Sequence, residues 1–326
     1  MKQIEFSAPG IPEDVVRYAD AETPSAAGSD QVIVKILAFP INPADLLTMQ
    51  GLYPRLDPNT RAIGNEAVGE ISAVGDAVAD LAPGDRVILL SLNNWREYRL
   101  VKAHEVIKVS PRGNMMQQSG LKVNPATASL LLRNFVELKA GDWMIQNAAN
   151  SAVGRAAIQL ARISGVKTIS VVRRSDVIGE LTALGGDVVL LDGDDLPQRV
   201  AAATQNSAIL LGMDSIGGLA ADRMSSCLSP AATLVIYGAM SGEPTTIAPG
   251  TIVFKDMRVR GFWLSKYLLD TPRDAVAAIY RQLDDLSSGG RLMTKIDSIF
   301  RAEDIKSAVR RASQSGIDGK VIVRFN

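Results

Sequence analysis

Short apolar runs separated by glycine and proline occupy the first third of the chain. Runs typical of β-strands lie at 31–38, 67–74, 86–90, 97–101 and 106–109. Turn-forming residues such as Pro40, Gly51, Gly75 and Pro83 lie between them. Many short strands with this punctuation predict a partly closed β-barrel.

The pattern changes after Val123, where helical and strand-like runs alternate. These runs lie at 126–138, 143–146, 153–163, 188–191, 208–213 and 233–237. The alternation predicts a doubly wound parallel sheet, and therefore an α/β protein with a second, barrel-like domain. Two helical patterns and a final strand follow residue 264. We predict a first domain at 1–122, a parallel-sheet domain at 123–264, and a C-terminal segment at 265–326 that returns to the first domain.

The segment 143–172 reads as strand, tight turn, helix and strand. A turn of small residues at 147–152 precedes apolar side chains at helical spacing. Ala149, Ser151 and Gly154 hold the positions of the pattern G-x-G-x-x-G, so only its last glycine is kept. Ala and Ser are small enough to let backbone amides approach a pyrophosphate. The turn is therefore either a dinucleotide site or an ordinary turn between strand and helix.

The residues after the second strand of this segment indicate which dinucleotide the protein binds. Arg173, Arg174 and Ser175 stand where an NAD site usually carries an acidic residue. Guanidinium groups and a hydroxyl suit a 2′-phosphate, so we expect NADPH. The alternative is a solvated basic strand end.

Composition narrows the class of protein further. The 326 residues are 47% hydrophobic, and 35 Lys and Arg balance 35 Asp and Glu, so charge makes no case for nucleic acid or an anionic membrane as partner. The opening residues show no targeting pattern and no run is long enough to span a bilayer, so we expect a cytoplasmic protein. The single Cys227 and single His104 exclude an intramolecular disulfide and a Cys/His zinc cluster within the chain.

The sequence resembles a known superfamily over nearly its whole length. GNEAVGEISAVGDAVADLAPGDRVI at 64–88 resembles the medium-chain dehydrogenase/reductase superfamily, which implies a GroES-like, partly closed β-barrel catalytic domain and a Rossmann domain. More narrowly, the chain resembles the mitochondrial-type 2-enoyl thioester reductases and their bacterial quinone-oxidoreductase-like relatives. Four segments carry that likeness: NPADLLTMQGLYP (42–54), NPATASLLL (124–132), QNAANSAVG (146–154), and YGAMSGEP with FKDMRVRGFWL (237–244 and 254–264).

The resemblance implies a reductase without a metal. Zinc-containing members carry Cys where this chain has Asn42 and His where it has Asn65, just before Glu66, and a lone carboxylate cannot hold a catalytic zinc. The resemblance also implies NADPH-dependent reduction of an activated carbon–carbon double bond, and a trans-2-enoyl thioester is the substrate that it favours. Tyr53 would be the catalytic residue, stabilising the enolate or donating its proton.

The same resemblance assigns the cofactor-binding residues. Asn124 would approach the nicotinamide, and Arg173, Arg174 and Ser175 would hold the adenosine phosphate. Lys320 would close the rim. The diphosphate would be lined by Asn150, Ser151, Ala152 and Val153, and the nicotinamide would be walled by Tyr237, Gly238, Ala239, Met240, Phe262, Trp263 and Leu264.

Other functions stay open at this point. A quinone oxidoreductase or a 2-alkenal reductase shares the zinc-free fold and the cofactor. A non-catalytic NADPH-binding module is the alternative outside enzymes. By resemblance we also expect a homodimer that pairs through the strand around 257–263.

Overall fold

The protein is described by a computed structural model that covers residues 1–54 and 60–325. It divides into two compact units: unit 1 comprises Met1–Val123 and Pro272–Asn326, and unit 2 comprises Asn124–Thr271. The sequence-based prediction instead divides the chain after residues 122 and 264. The helix after residue 264 lies in unit 2, where the ring of Tyr267 packs 6.1 Å from that of Phe262.

The described residues form the following strands and helices, with short 3₁₀ turns at 103–105, 175–177 and 302–304. The strands are β1 (Lys2–Phe6), β2 (Val16–Asp20), β3 (Gln31–Pro40), β4 (Val68–Val74), β5 (Arg86–Leu89), β6 (Tyr98–Lys102), β7 (Val106–Lys108), β8 (Trp143–Gln146), β9 (Lys167–Val172), β10 (Val188–Leu191), β11 (Ile209–Asp214), β12 (Thr233–Ile236), β13 (Arg258–Gly261), β14 (Ile296–Arg301) and β15 (Lys320–Arg324). The helices are α1 (Pro12–Val15), α2 (Pro43–Gln50), α3 (Met115–Ser119), α4 (Asn124–Asn134), α5 (Ala152–Ser164), α6 (Ile178–Leu184), α7 (Leu196–Thr204), α8 (Gly218–Cys227), α9 (Pro249–Lys255), α10 (Leu264–Asp270), α11 (Arg273–Ser288) and α12 (Ile305–Ser313).

Unit 1 is built on a curved, mainly antiparallel sheet. Its strands run in the order β14-β15-β3-β4-β5-β7, with β6 also pairing β3, and β1 and β2 form a separate antiparallel pair. The sheet does not close on itself, which agrees with the prediction of a partly closed barrel. Its core contains the stacked rings of Phe39 and Trp95, whose centroids are 5.0 Å apart, and Phe325 packs on the same cluster. The last strand, β15, pairs antiparallel with β3, so residues 272–326 complete this unit.

Unit 2 is a parallel sheet with the order β10-β9-β8-β11-β12-β13. The strand order reverses between β8 and β11, which is the arrangement of a doubly wound Rossmann fold. Strand residues such as Ile145, Ile169 and Leu234 are fully buried, as is usual in a parallel sheet that is covered on both faces. The predicted fold class, a Rossmann domain with a GroES-like domain, is confirmed. Within the described part of the chain, no helix is long and apolar enough to cross a bilayer.

Candidate active site

The turn after β8 leads directly into helix α5 of unit 2. Ala148 adopts a positive φ of 46°, and Ser151 caps the helix by accepting a hydrogen bond from the Gly154 amide, with Oγ 3.2 Å from N. A Cβ atom at Gly154 would lie 2.5 Å from the Ala149 carbonyl oxygen, so only glycine lets the helix approach the turn this closely. The residues predicted to line a diphosphate, from Asn150 to Val153, are half-buried at this helix N-terminus.

Buried polar side chains that the sequence analysis missed hold the turn in place. Asn147 donates from Nδ2 to Asp214 Oδ1 (2.6 Å) at the end of β11 and accepts the Ser215 amide on its Oδ1 (2.8 Å). Asp214 in turn accepts the amides of Ile216 and Gly217. The signal that could have identified the pair is a polar residue at the end of each of two apolar strands that flank the reversal of strand order.

The basic residues predicted for the adenosine phosphate lie at the end of β9. Arg173 and Ser175 are exposed, and Arg174 is half-buried with its Nε 3.6 Å from Asp176 Oδ1. Arg173 is therefore the guanidinium that solvent reaches most freely. Arg173 follows β9, which pairs with β8, and β8 leads into the turn predicted to hold the diphosphate.

The residues predicted to wall the nicotinamide follow β12 and β13. The Tyr237 and Met240 amides donate to the carbonyls of Asp214 and Ser215, at 2.9 and 3.0 Å, and Phe262 donates to Ile236. Burial raises the pKa of Tyr237, which the Ser215 hydroxyl partly offsets. Gly238 and Ala239 lie between these contacts, the Phe262 ring meets Phe135 edge-on at 6.0 Å, Trp263 is exposed and Leu264 is buried.

Most predicted cofactor residues therefore share one edge of the sheet in unit 2. The exceptions are Asn124, a buried residue that begins α4, and Lys320, which lies in unit 1. Parallel strands present their carboxyl ends at one edge, which is where such folds bind dinucleotides. The residues fit this cofactor because Gly154 lets helix α5 pack closely against the turn, and the Ser151-capped helix N-terminus presents backbone amides that suit a diphosphate.

Tyr53 lies in unit 1, just past helix α2. Its side chain is half-buried. The helix ends at Gly51, which adopts a left-handed φ of 76°, and the Leu52 amide returns to the Leu47 carbonyl at 2.8 Å. The Gly10 amide, in the segment between β1 and α1, donates to the Met49 carbonyl and so holds the C-terminal end of the helix as well.

A buried polar cluster lies at the other end of α2. Asn42, the N-cap residue, donates from Nδ2 to Glu66 Oε1 (2.7 Å), while its Oδ1 accepts from the ammonium of Lys320. Lys320 also donates to the Ile41 carbonyl at 3.1 Å, and Glu66 Oε2 accepts the Val123 amide at 2.8 Å. Burial raises the pKa of Glu66 and lowers that of Lys320, and their mutual attraction opposes both shifts.

Asp45 and Lys122 extend this cluster, and the sequence analysis missed both. Asp45 accepts hydrogen bonds from the backbone amide of Asn42 (2.8 Å), the backbone amide of Asn65 (3.1 Å) and the side-chain Nδ2 of Asn65 (2.7 Å). Burial raises the pKa of Asp45 to about 6, against these hydrogen bonds. The Lys122 ammonium donates to the carbonyls of Asn65 and Ser91, and burial lowers its pKa.

These residues do not fit a catalytic zinc ion. Zinc in proteins is held by thiolate, imidazole and carboxylate ligands, whereas the cluster offers amides, two ammonium groups and two carboxylates, Asp45 and Glu66, that already accept hydrogen bonds from amide groups. Among residues 1–54 and 60–325, no group of three His, Cys, Asp or Glu side chains is placed to hold a metal. Cys227 donates to the Arg223 carbonyl, and burial raises its pKa to about 12, which keeps it a thiol.

Comparison with protein families agrees with both units. Residues 28–111 match the alcohol dehydrogenase GroES-like domain, and residues 152–281 match the zinc-binding dehydrogenase family. The chain belongs to the medium-chain dehydrogenase/reductase superfamily, to which its open barrel and Rossmann sheet also correspond.

Individual relatives within this superfamily show which of its members the chain is similar to. The chain is 33% identical to the mitochondrial enoyl-[acyl-carrier-protein] reductase of Rattus norvegicus, across 99% of this chain and 88% of that one. The mitochondrial 2-enoyl thioester reductase Etr1p of Candida tropicalis superposes with a TM-score of 0.89 at 26% identity, covering 99% of both chains. Its structures include a complex with NADP and crotonyl-CoA and a heterodimer with Etr2p. A quinone oxidoreductase of Pseudomonas syringae superposes with a TM-score of 0.87 at 25% identity, again covering 99% of both.

Proposed function

We propose that this protein is an NADPH-dependent reductase of activated carbon–carbon double bonds, with a trans-2-enoyl thioester as its substrate class. The observation that carries the proposal is the position of Tyr53, which follows helix α2, a helix anchored at both ends. In the same unit, the buried polar cluster contains amide and ammonium groups in place of zinc ligands. The enoyl thioester reductases among its relatives support the same chemistry.

The cofactor would be held by unit 2. The helix amides after Ser151 and the hydroxyl of that residue would bind the diphosphate, Arg173 the 2′-phosphate, and the backbone at 237–240 and 262–264 the nicotinamide carboxamide. When bound, NADPH supplies the hydride that adds to the β-carbon of the substrate. Asn124 keeps its predicted role beside the nicotinamide as part of this proposal. The rim role predicted for Lys320 is not required by it, because the Lys320 ammonium is buried and donates to the Ile41 carbonyl and to Asn42 Oδ1.

Tyr53 would act on the substrate carbonyl and the α-carbon. Negative charge moves onto the thioester oxygen as the β-carbon gains its hydride, and a hydrogen-bond donor at that oxygen stabilises it. A phenol is protonated at neutral pH, so Tyr53 can donate to the oxygen and then pass its proton toward the α-carbon. No metal is required for either role.

The choice of acceptor is tested by NADPH oxidation with crotonyl thioester, a 2-alkenal and a quinone in parallel. We expect the thioester to be reduced with the highest kcat/KM. Turnover of the quinone alone would favour the quinone oxidoreductase alternative, which the likeness to the Pseudomonas syringae enzyme supports. Binding of NADPH without turnover of any acceptor would favour a non-catalytic binding module.

Replacing Arg173 with alanine tests the phosphate role. We expect the Kd for NADPH to rise about tenfold or more and the Kd for NADH to change little, because only NADPH carries the 2′-phosphate. Fluorescence titration of both cofactors at one ionic strength measures this. Arg162→Ala, at the far end of α5, removes the same charge and serves as the control. Equal losses for both cofactors would contradict the assignment.

We also propose that the protein is a homodimer that pairs through β13. This strand is an edge of the sheet in unit 2, and the helix before it exposes Val253 and Phe254, the latter with 88% of its surface accessible. Such an edge is normally covered. Light scattering at micromolar concentration should give the dimer mass, and Phe254→Lys should weaken association about tenfold or more. Leu219→Lys, which replaces another exposed apolar side chain on α8, should not. A wild-type monomer would refute the proposal.

A cytoplasmic location, expected from the sequence, belongs to the same proposal. The Rattus norvegicus relative is named as mitochondrial. Fractionation of the native cell decides whether the protein is found with cytoplasmic markers.

A further inference from the structure

The buried cluster of unit 1 contains more charge than the proposed reaction uses. Asp45, Glu66, Lys122 and Lys320 are each at least nine-tenths buried, as is the amide of Asn42 that joins two of them. Two carboxylates and two ammonium groups balance in formal charge. Each loses hydration on burial, and buried ion pairs are poor sources of net stability, since apolar residues of equal volume often stabilise a core as well. A cluster of this kind is better explained by what it orients.

Lys320 acts on the start of helix α2 through one residue. Its ammonium donates to the Ile41 carbonyl (3.1 Å) and to Asn42 Oδ1, so it holds both residues that precede the helix. On the other side of the same side chain, Asn42 Nδ2 donates a hydrogen bond to Glu66 Oε1 at 2.7 Å. Asn42 is therefore held between a cation and an anion, and its side chain has one permitted orientation because the donor and the acceptor cannot be exchanged.

Helix α2 transmits this orientation to Tyr53. Asp45, in the first turn, accepts the backbone amide of Asn42 and two N–H groups of Asn65, which joins the helix to the segment before β4 that carries Glu66. The helix has 8 residues and ends at Gly51, two positions before Tyr53. A rigid element this short moves as one body, so a rotation at Asn42 displaces the tyrosine.

We propose that Lys320, Asn42 and Glu66 are positioning residues for Tyr53: the Lys320 ammonium clamps the N-cap of helix α2, and the helix places the tyrosine hydroxyl. This inference rests on the proposed function in that Tyr53 is the group acting on the substrate. It gives Lys320 a role through Asn42, which is separate from direct contact with the cofactor.

A double-mutant cycle tests the proposal in the full-length protein. Lys320→Met keeps the length of the side chain and removes the ammonium. We expect kcat with the acceptor that the wild type reduces best to fall about tenfold or more, since general acid catalysis depends on geometry, while the Kd for NADPH stays within about twofold. In the Tyr53→Phe background the same substitution should have almost no further effect, because its action runs through the missing hydroxyl. Additive losses, or a raised Kd for NADPH with unchanged kcat, would overturn the proposal.

A second readout does not depend on turnover. In protein labelled with 3-fluorotyrosine, the ¹⁹F resonance of Tyr53 is assigned by its loss in Tyr53→Phe. We expect that resonance to shift or broaden in Lys320→Met and to stay in place in Lys108→Met, which breaks a surface ion pair with Asp85 in the same unit. An unmoved Tyr53 resonance in Lys320→Met would refute the positioning role even if the enzyme reduced no thioester.

Folding of the variant is controlled by a compensated pair. Lys320→Met removes the cation that most favours the charged form of the buried Glu66, which can destabilise unit 1. Lys320→Met combined with Glu66→Gln removes one charge of each sign and keeps both side-chain lengths. If the single variant does not fold, the pair takes its place in the cycle with the same expectation, and full activity of a folded pair contradicts the proposal.

Discussion

Replacing Tyr53 with phenylalanine should lower kcat with crotonyl thioester about a hundredfold, the usual scale for the loss of a general acid. The ring stays, and because the side chain is only half-buried at the end of α2, the free energy of unfolding should change little. The lost hydroxyl removes both the donor to the thioester oxygen and the source of the proton. Steady-state kinetics with saturating NADPH measure the effect.

Tyr18→Phe is the matched control for this variant. Tyr18 is also half-buried in unit 1, on β2, where the Lys2 ammonium lies 5.7 Å from its ring centroid. It should leave kcat unchanged. A wild-type rate in Tyr53→Phe would exclude this residue as the catalyst and would also remove the basis for the positioning cluster.

Replacing Gly154 with alanine should raise the Kd for NADPH about tenfold or more. The added Cβ would lie 2.5 Å from the Ala149 carbonyl oxygen and 2.6 Å from the Ala149 Cα, and both are backbone atoms that cannot rotate away. The turn must therefore separate from helix α5, which moves the amides after Ser151 that would bind the diphosphate. Fluorescence titration gives the Kd, and thermal unfolding reports any loss of stability.

Gly179→Ala provides the comparison because a Cβ at that helical position has no neighbouring atom within 4 Å. Alanine favours a helix over glycine by roughly 1 kcal/mol, so this variant should bind NADPH normally and be as stable as the wild type or more so. If Gly154→Ala also bound NADPH normally, the turn after β8 would not be the diphosphate site.

Local patterns predicted most strands of unit 2 and its helices α4 and α5. Strands β8, β10 and β12 are largely apolar and α5 repeats its apolar residues at helical spacing, so the alternation of strand and helix could be read directly. Strand β14 was missed for a physical reason. Its apolar residues Ile296, Ile299 and Phe300 do not alternate, because a register shift between residues 296 and 298 breaks the period of two.

The resemblance assigned site residues at the ends of strands, and the structure gathers those of unit 2 at one edge of the sheet. It did not assign the buried partners that hold them. Asn147 and Asp214 are 67 positions apart, and Asp214 lies outside the segments that carry the resemblance. A hydrogen bond between distant residues leaves no periodic trace, since each partner reads only as an isolated polar residue at a strand end.

The sequence by itself determined the class of fold, the turn of small residues with its basic strand end, and the absence of the zinc ligands, because each of these is written in neighbouring residues or in residue types. Only the tertiary structure decided what replaces those ligands. Asn42 meets Glu66 from 24 positions away and Lys320 from 278, and burial then makes their charges interdependent. Proximity of that kind arises from strand pairing and packing, which no local pattern encodes.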